Sequence, residues 1–236
     1  MKIKIIPNPK KPWAVKLAQR VKRFLGRKHR TVNNNADATV CIGGDGTILY
    51  ANHQKRLGGR VLGIGGDKSY ICQLHRNSWQ SSLLWILEKG KGTNIMSLNC
   101  NVGKKNFTAL NDFVIHATNY RVVEMDVSVN GRRTSFEGDG MIISSPLGSA
   151  AYAYSAGGKK LGPTERKISL VPICPYKRAF SPKILNEKDT ISVRVGSDCA
   201  FIIDGIFVRH LRKNEIVRIK KGSDIPFFEG VGRNDI

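Results

Sequence analysis

The stretch that most constrains this chain is residues 38–47, where a short apolar run leads directly into three glycines and one aspartate. The run up to Ile42 is rich in β-branched residues, which is typical of a buried strand. The residues from Ile48 to Gln54 predict a helix. A strand, a glycine turn and a helix start in this order are typical of a phosphate site. Glycine lets the backbone approach the ligand, and the first helical N–H groups point at the anion.

Asp45 is the unexpected residue of this turn, because a carboxylate repels phosphate unless it takes a proton or holds a metal ion. The pattern lacks the Gly-Lys-Ser/Thr ending of a P-loop, and its glycines do not fit the dinucleotide fingerprint. It resembles the signature that NAD kinases, diacylglycerol kinases and 6-phosphofructokinases share. The alternative is that Asp45 or Thr47 only caps a helix.

The first 92 residues predict an α/β domain with a Rossmann-like parallel sheet. Strands are expected at Lys2–Ile6, 38–42 and Arg60–Ile64, and helices at Pro12–Leu25 and Ser78–Glu88. Such alternation implies parallel strands with helices on the faces of the sheet. Ligands of these sheets bind beyond the carboxyl ends of the strands, where both glycine turns lie.

Residues 93–216 predict an all-β domain, and we expect the tail at about 217–236 to pack back on the first domain. The hairpin turn signals are Asn130-Gly131 and Asp204-Gly205. The predicted strands are Ile95–Val102, Phe107–His116, Arg121–Val129, Thr134–Glu137, Met141–Ser145, Ile191–Val195, Ala200–Ile203, Ile206–His210 and Ile216–Lys220.

The net charge of +21 favours polyanionic partners such as nucleotides, polyphosphate or nucleic acid. The charge is uneven, since residues 1–36 contain no acidic residue. The basic residues of this segment that follow its first strand are Lys10, Lys11, Lys16, Arg20, Lys22, Arg23, Arg27, Lys28 and Arg30. No aromatic residues alternate with these charges as a stacking surface requires, so nucleic-acid binding is not favoured over a solvated basic face.

Five scattered cysteines without a Cys-x-x-Cys pair argue against a disulfide scaffold and a zinc site. They indicate a reducing compartment, and we expect a cytoplasmic protein. No apolar run approaches the ~20 residues of a membrane helix, and the chain opens with a strand pattern rather than a secretion signal.

Two further motifs indicate a nucleotide site. Asn111-Asp112 precedes an apolar strand, and an amide beside a carboxylate can hold the hydroxyls of a ribose. An Asn-Asp turn is the alternative. Residues 138–158 combine a strand, a tight turn and a run of small residues, with Tyr152 and Tyr154 available to stack on a base. A packing segment rich in Ser, Ala and Gly is the alternative there.

Together these motifs resemble the ATP-NAD kinase family in order and approximate spacing. The matching pieces are Gly43–Thr47, Asn111-Asp112, the segment from Asp139 to Gly158, Pro172–Pro175 and Asp204-Gly205. The opening Ile6–Pro9 also fits, so the resemblance covers about residues 3–208. It implies a two-domain architecture with an α/β N-terminal domain and an all-β C-terminal domain, and a glycine turn at the cleft between the two.

The resemblance also implies roles for individual residues. Asp45 is similar to the catalytic aspartate, which takes the proton from the 2′-hydroxyl of the adenosine ribose, and the phosphate- or ATP-binding turn is Gly43, Gly44, Gly46 and Thr47. Asn111 and Asp112 resemble an Asn-Glu pair that holds the ribose of NAD. Asp139 resembles the residue that reaches the nicotinamide end from a neighbouring subunit, which implies a homo-oligomer, a dimer or a tetramer. The rest of the NAD pocket is Ser145, Ala150, Ala151, Tyr152 and Ser155.

The chain departs from the family at several of these positions. Ala150 stands where threonine is usual, so its hydrogen bond near the adenine must be lost or replaced. The second glycine turn, residues 63–70, lacks the usual Asn and Leu-Gly-Phe and contains Lys68, which we expect to contact a phosphate. These differences indicate a divergent, archaeal-like branch.

The expected reaction is the transfer of a phosphoryl group from ATP, another nucleoside triphosphate or polyphosphate to the 2′-hydroxyl of NAD, which gives NADP. The expected cofactor is Mg²⁺ or another divalent metal ion. The alternatives are a kinase of the same superfamily with a lipid or sugar acceptor and a non-catalytic relative that binds polyanions.

Overall fold

The computed structural model describes residues 1–26, 28–119 and 121–232. The chain forms two compact units, one of residues 1–95 and 225–236 and one of residues 96–224. The predicted boundary after residue 92 lies three residues before this division. The part of the tail that joins the first unit begins at Ile225 rather than at about 217. Arg27 of the basic segment and the last four residues of the predicted tail lie outside the described residues.

The first unit alternates strands with helices. Its elements are β1 (Lys2–Pro7), α1 (Pro12–Leu25), β2 (Arg30–Thr31), β3 (Ala38–Ile42), α2 (Asp45–His53), β4 (Arg60–Gly65), β5 (Leu74–His75) and α3 (Gln80–Lys89). The helix α1 agrees with its prediction because Pro12 stands at its first position and a regular apolar stripe follows.

All described strand pairs of the first unit are parallel. The order β2-β1-β3-β4 places β3 in the middle, and all five residues of β3 are buried. The strand β4 also pairs with β5 and, through Val61 and Phe227, with the end of a long strand that continues from the second unit. The buried face of α1 packs into the same hydrophobic cluster as Val40, Leu62 and Trp79. The core thus holds the carboxyl ends of β3 and β4, and with them both glycine turns, in fixed positions.

The second unit consists of strands with short helical turns. Its strands are β6 (Gly92–Val102), β7 (Lys105–Ala109), β8 (Asp112–Ala117), β9 (Val123–Val129), β10 (Arg132–Gly138), β11 (Gly140–Ser144), β12 (Lys167–Ile173), β13 (Lys183–Asn186), β14 (Ile191–Val195), β15 (Cys199–Ile203), β16 (Ile206–Leu211) and β17 (Ile216–Phe228). A short helix, α4 (Tyr152–Ser155), follows β11. Both β6 and β17 have residues in each unit.

The strands of this unit pair in two antiparallel arrangements. A six-stranded sheet has the order β13-β12-β11-β8-β15-β16. The other arrangement runs β10-β9-β14-β17, and β6 pairs with β7. Their apolar faces form one cluster that includes Phe113, Met141, Phe201 and Val217. The sheet aligns Asp112 on β8 with Ser144 on β11, so the ends of these two strands carry the candidate acceptor residues.

Several predicted strand bounds are wrong. Residues 107–116 form two strands instead of one, because the chain breaks at Leu110 and Asn111. The strand predicted at Ile216–Lys220 continues to Phe228. The strands β12 and β13 were not predicted at all. Among residues 1–26, 28–119 and 121–232, no helix combines the length and apolarity needed to cross a membrane.

Candidate active site

The candidate phosphate site of the α/β unit is the turn between β3 and α2. Gly43 and Gly44 have φ angles of 142° and 91°, which favour glycine. A Cβ at Gly43 would lie 2.5 Å from both Asn8 Cβ and Thr47 Oγ1, so the turn has no room for a side chain there. Gly46 differs, since its Cβ would meet nothing within 4 Å. Internal packing therefore explains Gly43 and leaves the space above Gly46 open to a ligand.

Asp45 is the first residue of α2, and its carboxylate accepts hydrogen bonds from three consecutive backbone N–H groups. The donors are Tyr70 at 2.7 Å, Ile71 at 3.0 Å and Cys72 at 3.2 Å. The Cys72 thiol also donates to Asp45, and burial together with this carboxylate raises the pKa of the thiol well above its usual value. Asp45 therefore anchors the segment that follows the second glycine turn, in addition to any chemical role.

Two polar groups face the glycine turn. Thr47 is 4% exposed, and its hydroxyl oxygen has no hydrogen-bond partner among the described residues. The Lys11 ammonium donates a hydrogen bond to the Gly43 carbonyl at 2.7 Å. Lys68, the predicted phosphate contact, is exposed and makes no hydrogen bond or ion pair within the described part of the chain.

A second candidate site lies in the all-β unit, where Asp204 organises the segment between β7 and β8. Its carboxylate accepts hydrogen bonds from the backbone N–H groups of Leu110 at 3.0 Å, Asn111 at 2.7 Å and Asp112 at 3.1 Å. Asp204 is 8% exposed and has a φ of 50° in the turn before β16. The Asp-Gly pattern predicted only a hairpin turn, whereas the aspartate also positions the predicted ribose pair.

Asp112 and Asn111 each have a side-chain polar group in an unusual environment. Asp112 is 4% exposed, and burial followed by the charge of Asp204 raises its pKa to about 7. The Asn111 side-chain oxygen is buried without a hydrogen-bond partner in the described structure. A buried acceptor without a donor is unfavourable, so this site is better satisfied when a hydroxyl donor binds.

Tyr152 lies beside three acidic groups that come from separate parts of the sequence. Burial is the largest cause that raises the pKa of the Tyr152 phenol, and the charges of these three groups raise it further. The groups are Cys174, Asp112 and Asp139. Partial desolvation, followed by the neighbouring Asp139 carboxylate, raises the pKa of the Cys174 thiol. Asp112 and Asp139 adjoin opposite ends of β8, the first beside Ser144 and the second beside Ala117, and the charges of both act on the Tyr152 phenol.

Ser145 has a structural role in the candidate site of the all-β unit. It is 0% exposed, donates to the Leu110 carbonyl at 2.6 Å and accepts from the Gly148 N–H at 3.1 Å. Gly148 in turn packs against the Asn111 backbone so closely that a Cβ would clash. Ala150 is half-buried, whereas Ala151, Tyr152 and Ser155 are exposed.

A cleft of about 600 Å³ opens next to α4. Tyr152 and Ser155 line one side, and Cys174 and Arg178 belong to the segment after β12 that lines the other. Among the described residues of this cleft, Arg178 is the one charged side chain. A concave site with aromatic, small and cationic groups suits part of a nucleotide.

The described residues contain no group of three or more His, Cys, Asp or Glu side chains that could hold a metal ion. The chain therefore offers no metal cage within these ranges. Mg²⁺ commonly binds through one or two carboxylates, water and the phosphates of a substrate. The residues present fit a divalent ion that is held mainly by a phosphorylated ligand.

Comparisons with known proteins agree with this picture. A family model described as the ATP-NAD kinase C-terminal domain matches residues 110–227, half of the 236 residues. An NAD kinase of Clostridium botulinum (strain Eklund 17B / Type B) is 31% identical over 201 residues, which cover 80% of this chain and 71% of that protein. An NAD kinase of Thermomicrobium roseum is 29% identical over 232 residues, 90% of this chain and 80% of that protein.

A solved structure gives the same result for the fold. The NAD kinase of Archaeoglobus fulgidus in complex with ATP matches with a TM-score of 0.85 at 22% identity, over 99% of this chain and 96% of that chain. This likeness confirms the predicted fold class, an α/β N-terminal part and an all-β C-terminal part.

Proposed function

This chain belongs to the ATP-NAD kinase family, and we propose that it phosphorylates the 2′-hydroxyl of the adenosine ribose of NAD to make NADP. The observations that carry the proposal are the buried Asn111 oxygen, which has no partner among the described residues, and the neighbouring Asp112 carboxyl group, with Tyr152 of a distant motif close enough for the charge of Asp112 to act on its phenol. Such convergence supports a nucleotide acceptor, because a lone Gly-Gly-Asp-Gly turn leaves the acceptor open.

Asn111 and Asp112 hold the ribose in this proposal. The unpartnered Asn111 oxygen accepts a hydrogen bond from one hydroxyl. The Asp112 carboxyl, with its pKa of about 7, takes part either as an acceptor or as a donor near neutral pH. Asp204 and Ser145 act as positioning residues, since both hold the backbone of this segment.

The exposed residues of the cleft contact the rest of NAD in this proposal. Tyr152 stacks on a flat ring, and Ser155 and Ala151 allow the ligand to lie close to α4. Arg178 faces the pyrophosphate, which carries two negative charges. Asp139 reaches the nicotinamide end, and a homo-oligomer in which a neighbouring subunit supplies this residue stays part of the proposal.

The turn at Gly43–Thr47 binds the terminal phosphates of the donor. The open space above Gly46, the start of α2 and the unpartnered Thr47 hydroxyl support this role. Asp45 accepts the proton of the 2′-hydroxyl as the new O–P bond forms and the donor diphosphate leaves. For this step its carboxylate must give up at least one of the hydrogen bonds it accepts from residues 70–72.

A divalent ion such as Mg²⁺, when bound with the phosphates of the donor, would neutralise part of their charge. ATP, another nucleoside triphosphate and polyphosphate all present the same terminal phosphates. The cytoplasmic location and the archaeal-like ancestry stay predictions.

The test is to incubate the purified protein with NAD, Mg²⁺ and ATP and to measure NADP with an NADP-specific dehydrogenase. We expect NADP to accumulate in proportion to enzyme, and a parallel reaction with polyphosphate identifies the range of donors. Phosphorylation of a lipid or sugar without any NADP would overturn the proposal. So would a lack of activity combined with polyanion binding that falls steeply with salt and is unaffected in Asp45→Asn.

A further inference from the structure

The Lys11 ammonium lies at the glycine turn, although its position in the sequence gives no sign of this. Lys11 precedes α1, and 32 residues separate it from Gly43, whose carbonyl accepts its hydrogen bond at 2.7 Å. A Cβ built on Gly44 would lie 3.9 Å from the same nitrogen. An ammonium has three N–H donors, so two remain for another acceptor.

The ammonium lies at the positive end of α2, where Asp45 is the acidic residue of the first turn. Gly44 caps the start of α2, where the helix dipole is positive and disfavours a nearby cation. Within the described ranges, Lys11 forms no ion pair with a carboxylate. A bound phosphate would compensate both the ammonium and the positive end of the helix.

A second cation shares the same aromatic ring. The Lys11 nitrogen lies 6.0 Å and the Arg76 guanidinium carbon 5.3 Å from the centroid of the Trp13 ring. The Arg76 backbone N–H donates to the Gly65 carbonyl at 2.7 Å, which ties this residue to the second glycine turn. Trp13 therefore holds two like charges near the two turns, an arrangement that an anion stabilises.

Thr47 provides an independent sign of a ligand at the same place. Its hydroxyl is 4% exposed, has no partner among the described residues and lies against Gly43. A phosphate oxygen would accept its hydrogen bond. Lys68 is exposed, as Lys11 is, but unlike Lys11 it makes no hydrogen bond or ion pair in the described structure.

We propose that Lys11 is the side chain that binds the terminal phosphates of the phosphoryl donor, with Arg76 as the second cation of the site. This inference deepens the proposed function and rests on it. It replaces Lys68 as the expected phosphate contact of the chain.

The test compares Lys11→Ala with Lys10→Ala, which removes the same charge from an exposed neighbouring position. A hydrogen bond to a charged group contributes about 1.5–3 kcal/mol, so we expect the KM for ATP of Lys11→Ala to rise by roughly 10- to 100-fold. The KM for NAD should change little, and Lys10→Ala should resemble the wild type. Thermal melting checks that both variants are folded.

Binding of inorganic tripolyphosphate, measured by calorimetry without NAD, separates this inference from the proposed function. Loss of binding in Lys11→Ala but not in Lys10→Ala supports the phosphate contact even if no NADP forms, in which case only the proposed function fails. Wild-type NADP formation by Lys11→Ala, with a raised KM for ATP in Lys68→Ala, would overturn the inference and return the role to Lys68.

Discussion

The two units of this protein use the same device, a carboxylate that accepts hydrogen bonds from three consecutive backbone N–H groups. In the α/β unit the carboxylate is Asp45, which holds residues 70–72. In the all-β unit it is Asp204, which holds residues 110–112. The donor–acceptor distances span 2.7–3.2 Å in the first case and 2.7–3.1 Å in the second.

The difference lies in what surrounds each carboxylate. Asp45 is half-exposed in a glycine turn with open space beside it, whereas Asp204 is 8% exposed and lies next to another buried carboxyl group. Hydrogen-bond geometry alone therefore does not separate a reacting group from a positioning group. Access to a ligand does separate the two groups. For this reason we assign the chemistry to Asp45 and the positioning to Asp204.

The largest expected effect is the loss of turnover in Asp45→Asn. An amide cannot take the proton of the 2′-hydroxyl, and general-base catalysis contributes about 10²–10⁴ in rate, so kcat should fall by that factor. NAD binding, measured by fluorescence or calorimetry, should be retained. Turnover like that of the wild type would remove Asp45 from the chemistry.

Ser69→Ala is the matched control for this variant. The Ser69 hydroxyl accepts a hydrogen bond from the Gly66 N–H at 3.2 Å and so supports the same turn without a carboxylate. We expect it to reduce kcat far less than Asp45→Asn does. Equal losses would mean that Asp45 acts through the turn, and the contrast with Asp204 would disappear.

The next effect is on stability, in Asp204→Ala. Three backbone N–H groups would lose a charged acceptor, and unsatisfied buried donors are costly, so we expect unfolding to become easier by about 3 kcal/mol or more. Asp204→Asn keeps one oxygen for Asn111 and Asp112 and should lose less. Urea denaturation measures both, and a loss as large in Asp45→Ala would show that the two carboxylates are structurally equivalent.

Asp112 makes the stability of the all-β unit sensitive to pH. Its folded pKa of about 7 lies above the usual 3.8, so its contribution to stability is fully present below pH 3.8 and is lost as the pH rises through 7. We expect Asp112→Asn to melt at a higher temperature than the wild type at pH 8 and at a similar temperature at about pH 3.5, below the unfolded pKa. The same difference at both pH values would exclude a buried carboxylate as its cause.

The local pattern predicted the α/β unit well, because its signals lie within a few residues. Pro12 and the apolar stripe placed α1 at its observed bounds, and the glycines placed the turn before α2. Predictions failed where partners distant in sequence decide the structure. Asp204 breaks the strand at Leu110 from more than 90 residues away, and pairing of Phe227 with Val61 accompanies the extension of β17 past Gly222.

Distance in sequence also explains which candidate site residues the motifs predicted and which they missed. Motif spacing predicted Asp45, Asn111 and Tyr152 as site residues without any contact information, and these roles stay predictions. The ammonium of Lys11 reaches Gly43 only because β1 and β3 are neighbours in the sheet. Lys68 was expected at a phosphate because it adjoins glycines in sequence, and this role stays a prediction that the comparison with Lys11 tests.

The smallest expected effect distinguishes two serines that the motif treats alike. Ser145 is fully buried and holds Leu110 and Gly148, so Ser145→Ala should destabilise the protein by about 1–2 kcal/mol. Ser155 is exposed in the cleft, and Ser155→Ala should leave stability unchanged and raise the KM for NAD a few-fold. Urea denaturation and NAD kinetics on both variants measure the two quantities together. If Ser145→Ala raised the KM for NAD without any loss of stability, Ser145 would contact the ligand directly, and Asp204 alone would be left to position the ribose pair.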